Sequence, residues 1–364
     1  HIGIKGTGDS GSGAILVNVS QEVIVNKVIL SHLGCQTQLT TLLPFKPKVL
    51  DLDLGESSKI SELNFDFLES SKLEELRFSH TSIPHFEALK SIRDLKKLNI
   101  SLESFQIPFE SVEEAFHTIN ENLGKLEVFS FTLTNERDLQ NLLINLNKLE
   151  NLTHLQIKLK GILNVSSFWI NVPEATKLQK ISFGFTLCPS LSLIDLKTLS
   201  SASLESFELD AFKLLIEDDW VQELIQILNK CSPKTLQHFK VVIKSSLLKQ
   251  PILDVNQLTN IQNLWIELGG LKDLRQLTLK LSKLDQLREL SLLVPNCPFY
   301  ELKDFSHFSS NSVKILTLAL DSTYLDDEMI RAGILYISVA FPNVEALKLS
   351  LSRCERVKNP TLDL

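Results

Sequence analysis

The chain has 364 residues, of which 43% are hydrophobic and 22% charged, and its formal net charge is -7. An acidic chain without a dense run of Lys and Arg lacks the basic face that binding to a phosphate backbone requires, which argues against nucleic-acid partners. The apolar stretches are also too short to span a membrane as helices.

The five cysteines are widely spaced and form no C-x-x-C pair, which indicates reduced thiols in a cytosol-like compartment rather than a disulfide framework. The chain starts at His1 and its only methionine is Met329, so we expect a processed or truncated form in which a targeting signal is out of view. The predicted location is the cytoplasm, with cytoskeletal, ciliary or organellar placement left open.

A glycine-rich stretch, GTGDSGSGAIL at residues 6–16, matches fragments of three enzyme motifs. A protease nucleophile at Ser10 would need an upstream His and Asp, and a kinase phosphate loop would need H-R-D and D-F-G motifs. A P-loop would need Lys where Ser12 stands. None of the three sets is complete, so the sequence predicts a protein that is not an enzyme.

Residues 1–13 are therefore interpreted as a flexible Gly-rich terminus, with the remnant of a kinase-like domain as the alternative. Residues 14–45 are apolar and are predicted to form an N-terminal capping segment over the first repeat. The repeats themselves are expected from residue 46 to 364, where the polar end RCERVKNPTLDL faces water.

From residue 46 onward the pattern L-x-x-L-x-L-x-L recurs with a period near 26 residues. Alternating apolar residues predict a short strand with one buried face in each copy. The central buried position of each copy falls at Leu50, Leu76, Leu98, Phe129, Leu155, Ile181, Phe207, Phe239, Leu264, Leu290, Leu316 and Leu347.

Three longer connections between strands change to a helical period. SVEEAFHTINENL at residues 111–123 has Ser111 and Glu114 in capping-box register and is predicted to bury Val112, Ala115, Phe116 and Ile119. EDDWVQELIQILNKCSP at residues 217–233 and DDEMIRAGILYISVAFP at residues 326–342 also begin with acids and end at proline. The first of these two is predicted to bury Trp220, Leu224, Ile225 and Leu228.

Two further matches to the strand pattern, at residues 60–67 and 274–281, lie out of phase with the others. We interpret both as helices on the convex side. The residues between each of these matches and the neighbouring in-phase strand are too few for a strand, a returning helix and two turns. The shorter repeats are likewise expected to return through two or three helical turns.

A strand followed by a returning helix in each copy resembles the leucine-rich repeat family, in its longer, ribonuclease-inhibitor-like class. The resemblance implies an α/β solenoid shaped as a horseshoe, with a parallel concave sheet, convex helices and about twelve repeats. The composition is similar to ciliate leucine-rich-repeat proteins that are often linked to a kinase domain.

The chain departs from that family just after each strand, where the family places an Asn that satisfies backbone groups in the turn. Thr81, Glu103, Thr134 and Lys160 stand at this position. The turns must therefore satisfy their backbone groups in another way.

Isolated polar residues give no strong sign of metal or acid–base chemistry. His80 and His85 fall in a turn without nearby Cys or carboxylates, so they are interpreted as solvated. The pairs Asp218/Asp219 and Asp326/Asp327 open helices, where acids are favoured, so they are interpreted as caps. No cofactor, metal or small-molecule substrate is inferred.

The concave face is the remaining candidate for function. In each strand the residues between the buried leucines point into it. The central file, with one residue per strand, is mostly small or polar: Asp51, Arg77, Asn99, Ser130, Gln156, Ser182, Glu208, Lys240, Trp265, Ser291, Thr317 and Lys348. The stretch from the eighth to the tenth repeat differs, because it combines an indole, aliphatic groups and both charge signs. Its predicted partner-binding residues are His238, Lys240, Val242, Trp265, Glu267, Glu289 and Leu293.

The sequence thus predicts a non-catalytic scaffold that binds a protein, or a large protein complex, through its concave face. Two alternatives stay open at this point. The repeats could be the targeting arm of a kinase- or protease-linked protein whose catalytic domain precedes His1, or a structural subunit of a large assembly.

Overall fold

The computed structural model forms two compact units, His1–Leu178 and Gln179–Leu364. The described residues are 2–5, 27–31, 47–53, 73–80, 86–103, 109–135, 139–173, 177–191, 193–196, 198–199, 203–300, 308–321, 323, 325–354 and 356–357.

The first unit is built on parallel strands that succeed one another along the chain. The strands are β1 (Ile2–Lys5), β2 (Lys27–Ser31), β3 (Val49–Asp53), β4 (Glu75–His80), β5 (Lys97–Glu103), β6 (Val128–Thr134), β7 (Asn141–Asn145), β8 (His154–Lys160) and β9 (Ser167–Asn171). The main sheet has the order β1-β2-β3-β4-β5-β6-β8, whereas β7 pairs with β9 in a separate sheet.

The second unit repeats this arrangement. Its strands are β10 (Lys180–Thr186), β11 (Leu193–Asp195), β12 (Ser206–Phe212), β13 (His238–Lys244), β14 (Ile252–Asp254), β15 (Asn263–Gly269), β16 (Thr278–Lys280), β17 (Glu289–Leu293), β18 (Ile315–Ala319) and β19 (Ala346–Ser350). The main sheet has the order β10-β12-β13-β15-β17-β18-β19, and β14 pairs with β16.

The predicted buried positions are confirmed as one row of side chains in each unit. In the first unit Leu50, Leu76, Leu98, Phe129 and Leu155 are register partners of one another along the sheet. In the second unit the partners are Ile181, Phe207, Phe239, Leu264, Leu290, Leu316 and Leu347. Each row is buried, except at Leu347 in β19, which is half-buried.

Two strands precede the first predicted repeat. Ile2 pairs with Val28, and Val28 pairs with Leu50, so β1 and β2 continue the same register toward the start of the chain. The sequence pattern missed both strands, which lie within the predicted terminus and capping segment. The remainder of residues 1–45 lies outside the described residues, and the predicted boundaries at 13 and 45 stay predictions.

The three predicted helices are confirmed as α1 (Phe109–Asn122), α2 (Asp218–Cys231) and α3 (Asp327–Ala340). Helix α1 buries Val112, Ala115, Phe116 and Ile119 as expected. It begins two residues before Ser111, however, so the predicted capping box lies inside the helix rather than at its start.

Trp220 of α2 is half-buried rather than buried. Its indole Nε1 donates a hydrogen bond to the backbone carbonyl of Ile194 at 3.1 Å, which keeps the polar edge of the ring near the protein surface. Leu224, Ile225 and Leu228 are buried as expected, and Val221 and Ile227 join them.

The prediction of helices on the convex side of the shorter repeats was wrong for residues 274–281. This segment contains β16, which pairs in parallel with β14 of the preceding repeat. Leu277, Leu279 and Leu281 are buried while Thr278 and Lys280 are not, so the leucines follow the period of a strand. Pairing with β14 therefore satisfies the backbone hydrogen-bonding groups of β16 without a helix. Residues 60–67 lie outside the described residues.

The turns after the strands replace the missing Asn with a repeated backbone conformation. The sixth residue after the buried centre of a strand has a positive φ: Asn135, Gly161, Leu187, Lys213, Ser245, Gly270, Asn296 and Arg353. In this left-handed conformation the N–H of Ser245 donates to the carbonyl of Gly269 at 2.9 Å, and that of Gly270 donates to Pro295 at 2.9 Å. Neighbouring repeats therefore satisfy each other's turns through backbone hydrogen bonds at these positions.

The four described cysteines form no disulfide, and Cys297 is buried with its thiol against the backbone carbonyls of Leu268 and Pro295. Burial raises the pKa of the Cys297 thiol to about 11. We expect iodoacetamide to leave Cys297 unmodified in the native protein and to label it fully in denaturant, because alkylation needs an accessible thiolate. Site-resolved mass spectrometry checks this, and rapid native labelling of Cys297 at neutral pH would contradict the packing at this position.

None of the helices in the described part of the chain has the length and apolar character needed to cross a bilayer.

Candidate functional site

Strands β13, β15 and β17 bring the predicted partner-binding residues together on one sheet face. Lys240 pairs in register with Trp265, and Val242 pairs with Glu267. Glu267 pairs in turn with Leu293 of β17. The file predicted from the sequence is also in register here, because Trp265 lies between Lys240 and Ser291.

Six of these seven side chains reach the surface. His238, Lys240, Trp265 and Glu289 are exposed, with 37% of Trp265 accessible, and Glu267 and Leu293 are half-buried. Val242 is only 4% exposed, so it supports the strand packing and offers little contact area. The exposed indole is the largest apolar group on this part of the sheet.

The indole of Trp265 is in contact with a neighbouring cation. The Lys240 Nζ lies 5.8 Å from the centroid of the Trp265 ring, within the range of a cation–π interaction. The aliphatic stem of Lys240 can then lie along the sheet while its ammonium group stays in water. At an exposed site such a contact favours this arrangement of the two side chains by roughly 0.5–1 kcal/mol.

Lys244 belongs to the same face but was missed in the sequence analysis. Its Nζ lies 2.6 Å from Oε1 of Glu267, which is the carboxylate next to Trp265 along β15. The signal was available, because Lys244 continues the alternation of His238, Lys240 and Val242 along β13.

The neighbouring strand β12 extends the face further. Glu208 pairs with Lys240, Asp210 with Val242 and Phe212 with Lys244. Glu208 and Asp210 are exposed, whereas Phe212 is half-buried. The Nζ of Lys213, the residue that follows Phe212 in the turn, lies 5.3 Å from the Phe212 ring centroid. We call the outward-facing side chains of β12, β13, β15 and β17 the Trp265 face.

The corresponding face of the first unit is more polar. Asp51, Arg77, Asn99, Ser130 and Gln156 are register partners, as the sequence analysis predicted. The Ser130 hydroxyl donates to Oε1 of Gln156 at 3.0 Å, so neighbouring repeats also connect through side chains here. This file contains no aromatic residue, which distinguishes it from the Trp265 face.

The acidic pairs have structural roles that differ from one another. Asp326 caps α3, because its carboxylate accepts a hydrogen bond from the N–H of Met329 at 2.8 Å. Asp218 and Asp219 lie in the first turn of α2, as predicted, but the start of this helix has no side-chain cap hydrogen bond. The Asp218 carboxylate instead accepts from the N–H groups of Lys249 and Gln250 in the next repeat, at 3.0 and 2.9 Å.

The other polar candidates of the sequence do not assemble into a site among the described residues. His80 ends β4, whereas His85, Ser10 and the glycine-rich stretch lie outside the described part. Across the described ranges, no three His, Cys, Asp or Glu side chains are grouped so that they could hold a metal ion.

Parallel strands with a central Leu, Ile or Phe in register, joined by backbone-paired turns at a period near 26 residues, decide the architecture. The chain has a leucine-rich-repeat fold. The repeats combine a regular sheet with few helices, and most of the described connections are extended or irregular rather than helical.

Solved structures with this repeat are similar to the chain at low identity. A leucine-rich-repeat protein of Leptospira interrogans shares 16% identity over 88% of this chain and 89% of its own, with a TM-score of 0.29. The Drosophila Toll–Spatzle complex shares 12% identity over 90% of this chain, with a TM-score of 0.27. The chain spans about half (51%) of the Toll-complex chain that it matches.

No protein-family model matches the chain. No curated protein sequence matches it either.

A second exposed apolar surface, also missed in the sequence analysis, lies on α3. Leu335, Tyr336 and Val339 are exposed there, and Leu347 of the adjacent β19 is only half-buried. In α2 the residue that corresponds to Tyr336 is Ile227, and it is buried.

Proposed function

We propose that the protein is a non-catalytic scaffold that binds a protein partner through the Trp265 face. The observation that carries the proposal is the exposed indole of Trp265, which stands on a regular sheet between Lys240 and Ser291. Aromatic side chains surrounded by polar groups are the residues that most often supply binding energy at protein interfaces.

The rigidity of the support adds to this argument. Leu264 and Ile266, on either side of Trp265 in β15, are buried, and β15 pairs with β13 and β17 along its length. The Lys240 ammonium lies over the ring. A side chain that is already restricted loses less conformational entropy on binding, so more of its contact energy appears as affinity.

A reducing compartment such as the cytosol is part of the proposal. Cys188, Cys297 and Cys354 are buried, none of them forms a disulfide, and each thiol donates a hydrogen bond to a backbone carbonyl. Buried thiols that form no disulfide suit a reducing location. No observation on the described residues favours the targeting-arm or structural-subunit alternatives.

Replacement of Trp265 by alanine is the experiment that tests the scaffold. We expect the variant to weaken partner binding by about 2 kcal/mol or more, roughly 30-fold, because the indole is the largest apolar contact on the face. The free energy of unfolding should change by no more than about 1 kcal/mol, because the ring is partly solvated in the free protein. Partners are identified by affinity capture with mass spectrometry, and their affinity for each purified variant is then measured by fluorescence anisotropy.

Phe299→Ala provides the matched control, because Phe299 is also an exposed aromatic residue and lies after the end of β17, outside the four strands that form the Trp265 face. Its partner affinity should equal that of the unmodified protein. The proposal would be contradicted if the Trp265→Ala variant bound the partner with the same affinity as the unmodified protein. It would also be contradicted if the variant lost binding only because it unfolds.

A further inference from the structure

The charge on the Trp265 face indicates the chemistry of the partner. Resting on the proposed function, we propose that the partner segment bound there carries a Lys or Arg side chain close to an apolar side chain. The apolar group packs on Trp265, and the basic group reaches the carboxylates of Glu208 and Asp210.

The face is acidic as a whole. Its outward positions carry four carboxylates, on Glu208, Asp210, Glu267 and Glu289, and two ammonium groups, on Lys240 and Lys244. A partner with the opposite sign of charge is favoured at such a surface, and one with the same sign is repelled.

Both ammonium groups already have partners within the face. The Lys240 Nζ lies over the Trp265 ring, and the Lys244 Nζ forms an ion pair with Glu267 at 2.6 Å. The Lys244–Glu267 pair is neutral, whereas Lys240 keeps its positive charge beside the ring. The other three carboxylates therefore leave the face with an excess of two negative charges.

Glu208 and Asp210 are the open pair of carboxylates. Neither forms an ion pair with a residue in the described part of the chain. Asp210 lies between Gly184, which has no side chain, and Val242, which is buried. A basic group can approach the Asp210 carboxylate from the open side without displacing an internal ion pair.

The spacing between these carboxylates and the indole fits one extended segment. Strands β12 and β15 are separated by β13, so their axes lie about 10 Å apart. Residues two or three positions apart in an extended chain span roughly 7–10 Å, and the length of a Lys or Arg side chain covers the remaining difference. One apolar residue on Trp265 and one basic residue at Asp210 can thus belong to the same short stretch.

The proposal is tested with a library of short random peptides displayed on phage and selected on the immobilised, full-length protein. Bound phage are eluted by competition with free unmodified protein, and the peptides that they display are synthesised. Fluorescence anisotropy then measures the affinity of each peptide for the unmodified protein, for Trp265→Ala and for the double variant Glu208→Gln/Asp210→Asn. The control is Asp273→Asn/Asp285→Asn, which changes the same charge at exposed positions outside the Trp265 face.

The expected peptides contain Lys or Arg near an aliphatic or aromatic residue. Their affinity should fall about tenfold in Glu208→Gln/Asp210→Asn and stay unchanged in Asp273→Asn/Asp285→Asn. It should also fall as the salt concentration rises, because the carboxylates are exposed to solvent.

The outcomes separate this inference from the function on which it rests. Peptides that need Trp265 but show no basic residues, or bind the Glu208→Gln/Asp210→Asn variant with unchanged affinity, overturn the inference and leave the scaffold in place. Selected peptides whose affinity does not depend on Trp265 overturn the proposed function itself. Enrichment of acidic peptides also overturns the inference.

Discussion

Replacing Phe207 with alanine is expected to lower the free energy of unfolding by about 4 kcal/mol. Phe207 is fully buried at the centre of β12, and its ring centroid lies 6.2 Å from that of Phe183 and 6.0 Å from that of Phe239. The substitution removes these ring contacts and leaves a cavity that neighbouring repeats on both sides must share. Urea denaturation followed by circular dichroism measures the loss.

The same substitution at Phe299, where 57% of the side chain is exposed, should cost no more than about 1 kcal/mol. Equal losses in the free energy of unfolding for Phe207→Ala and Phe299→Ala would contradict a role of the Phe207 ring in packing neighbouring repeats together. Hydrogen exchange adds a spatial check, because protection should fall first in β10, β12 and β13, where the three rings meet.

Replacing Ser245 with proline is expected to cost about 3 kcal/mol or more. Ser245 has φ +55°, and its N–H donates to the carbonyl of Gly269 at 2.9 Å. Proline requires φ near -65° and has no N–H, so the turn must lose both its conformation and its hydrogen bond. The serine side chain is exposed, so burial does not contribute to the difference.

Ser245→Gly should instead stabilise the protein by about 0.5 kcal/mol. Relief of a left-handed conformation is worth roughly 1–2 kcal/mol, and the added flexibility of glycine in the unfolded chain offsets roughly 0.5–1 kcal/mol of that. Thermal and urea unfolding of the Pro, Gly and Ala variants at this one position compare the effects directly. If proline and alanine were equally tolerated, the backbone turns would not hold neighbouring repeats together.

Most of the candidate site could be predicted from alternation alone. Once β13, β15 and β17 were recognised as strands, every second residue had to share a face, and this brought His238, Trp265 and Glu289 together. Burial of Val242 could not be predicted in this way, because it depends on how side chains of the neighbouring strands β12 and β15 cover it. The same is true of the Lys244–Glu267 ion pair and the contact between Lys240 and Trp265.

The convex segments show where local pattern is ambiguous. LRQLTLKL satisfies a strand period and, over so short a window, a helix period as well. A hydrogen-bonded partner, β14 in the preceding repeat, makes it a strand. The amino-acid pattern of residues 274–281 by itself does not indicate that this partner strand exists.

The sequence by itself determined the repeat, the rows of buried Leu, Ile and Phe, the three helices and the alternation that creates the Trp265 face. Each of these features depends on the period of apolar residues within one short segment. The tertiary structure decided the parallel pairing of β14 with β16, the recruitment of Asp218 by the next repeat and the left-handed turns. These features depend on backbone groups about one repeat away in the chain. Such groups become neighbours only when the repeats stack, and hydrogen bonding between them then selects among conformations that are nearly equal in the isolated segment.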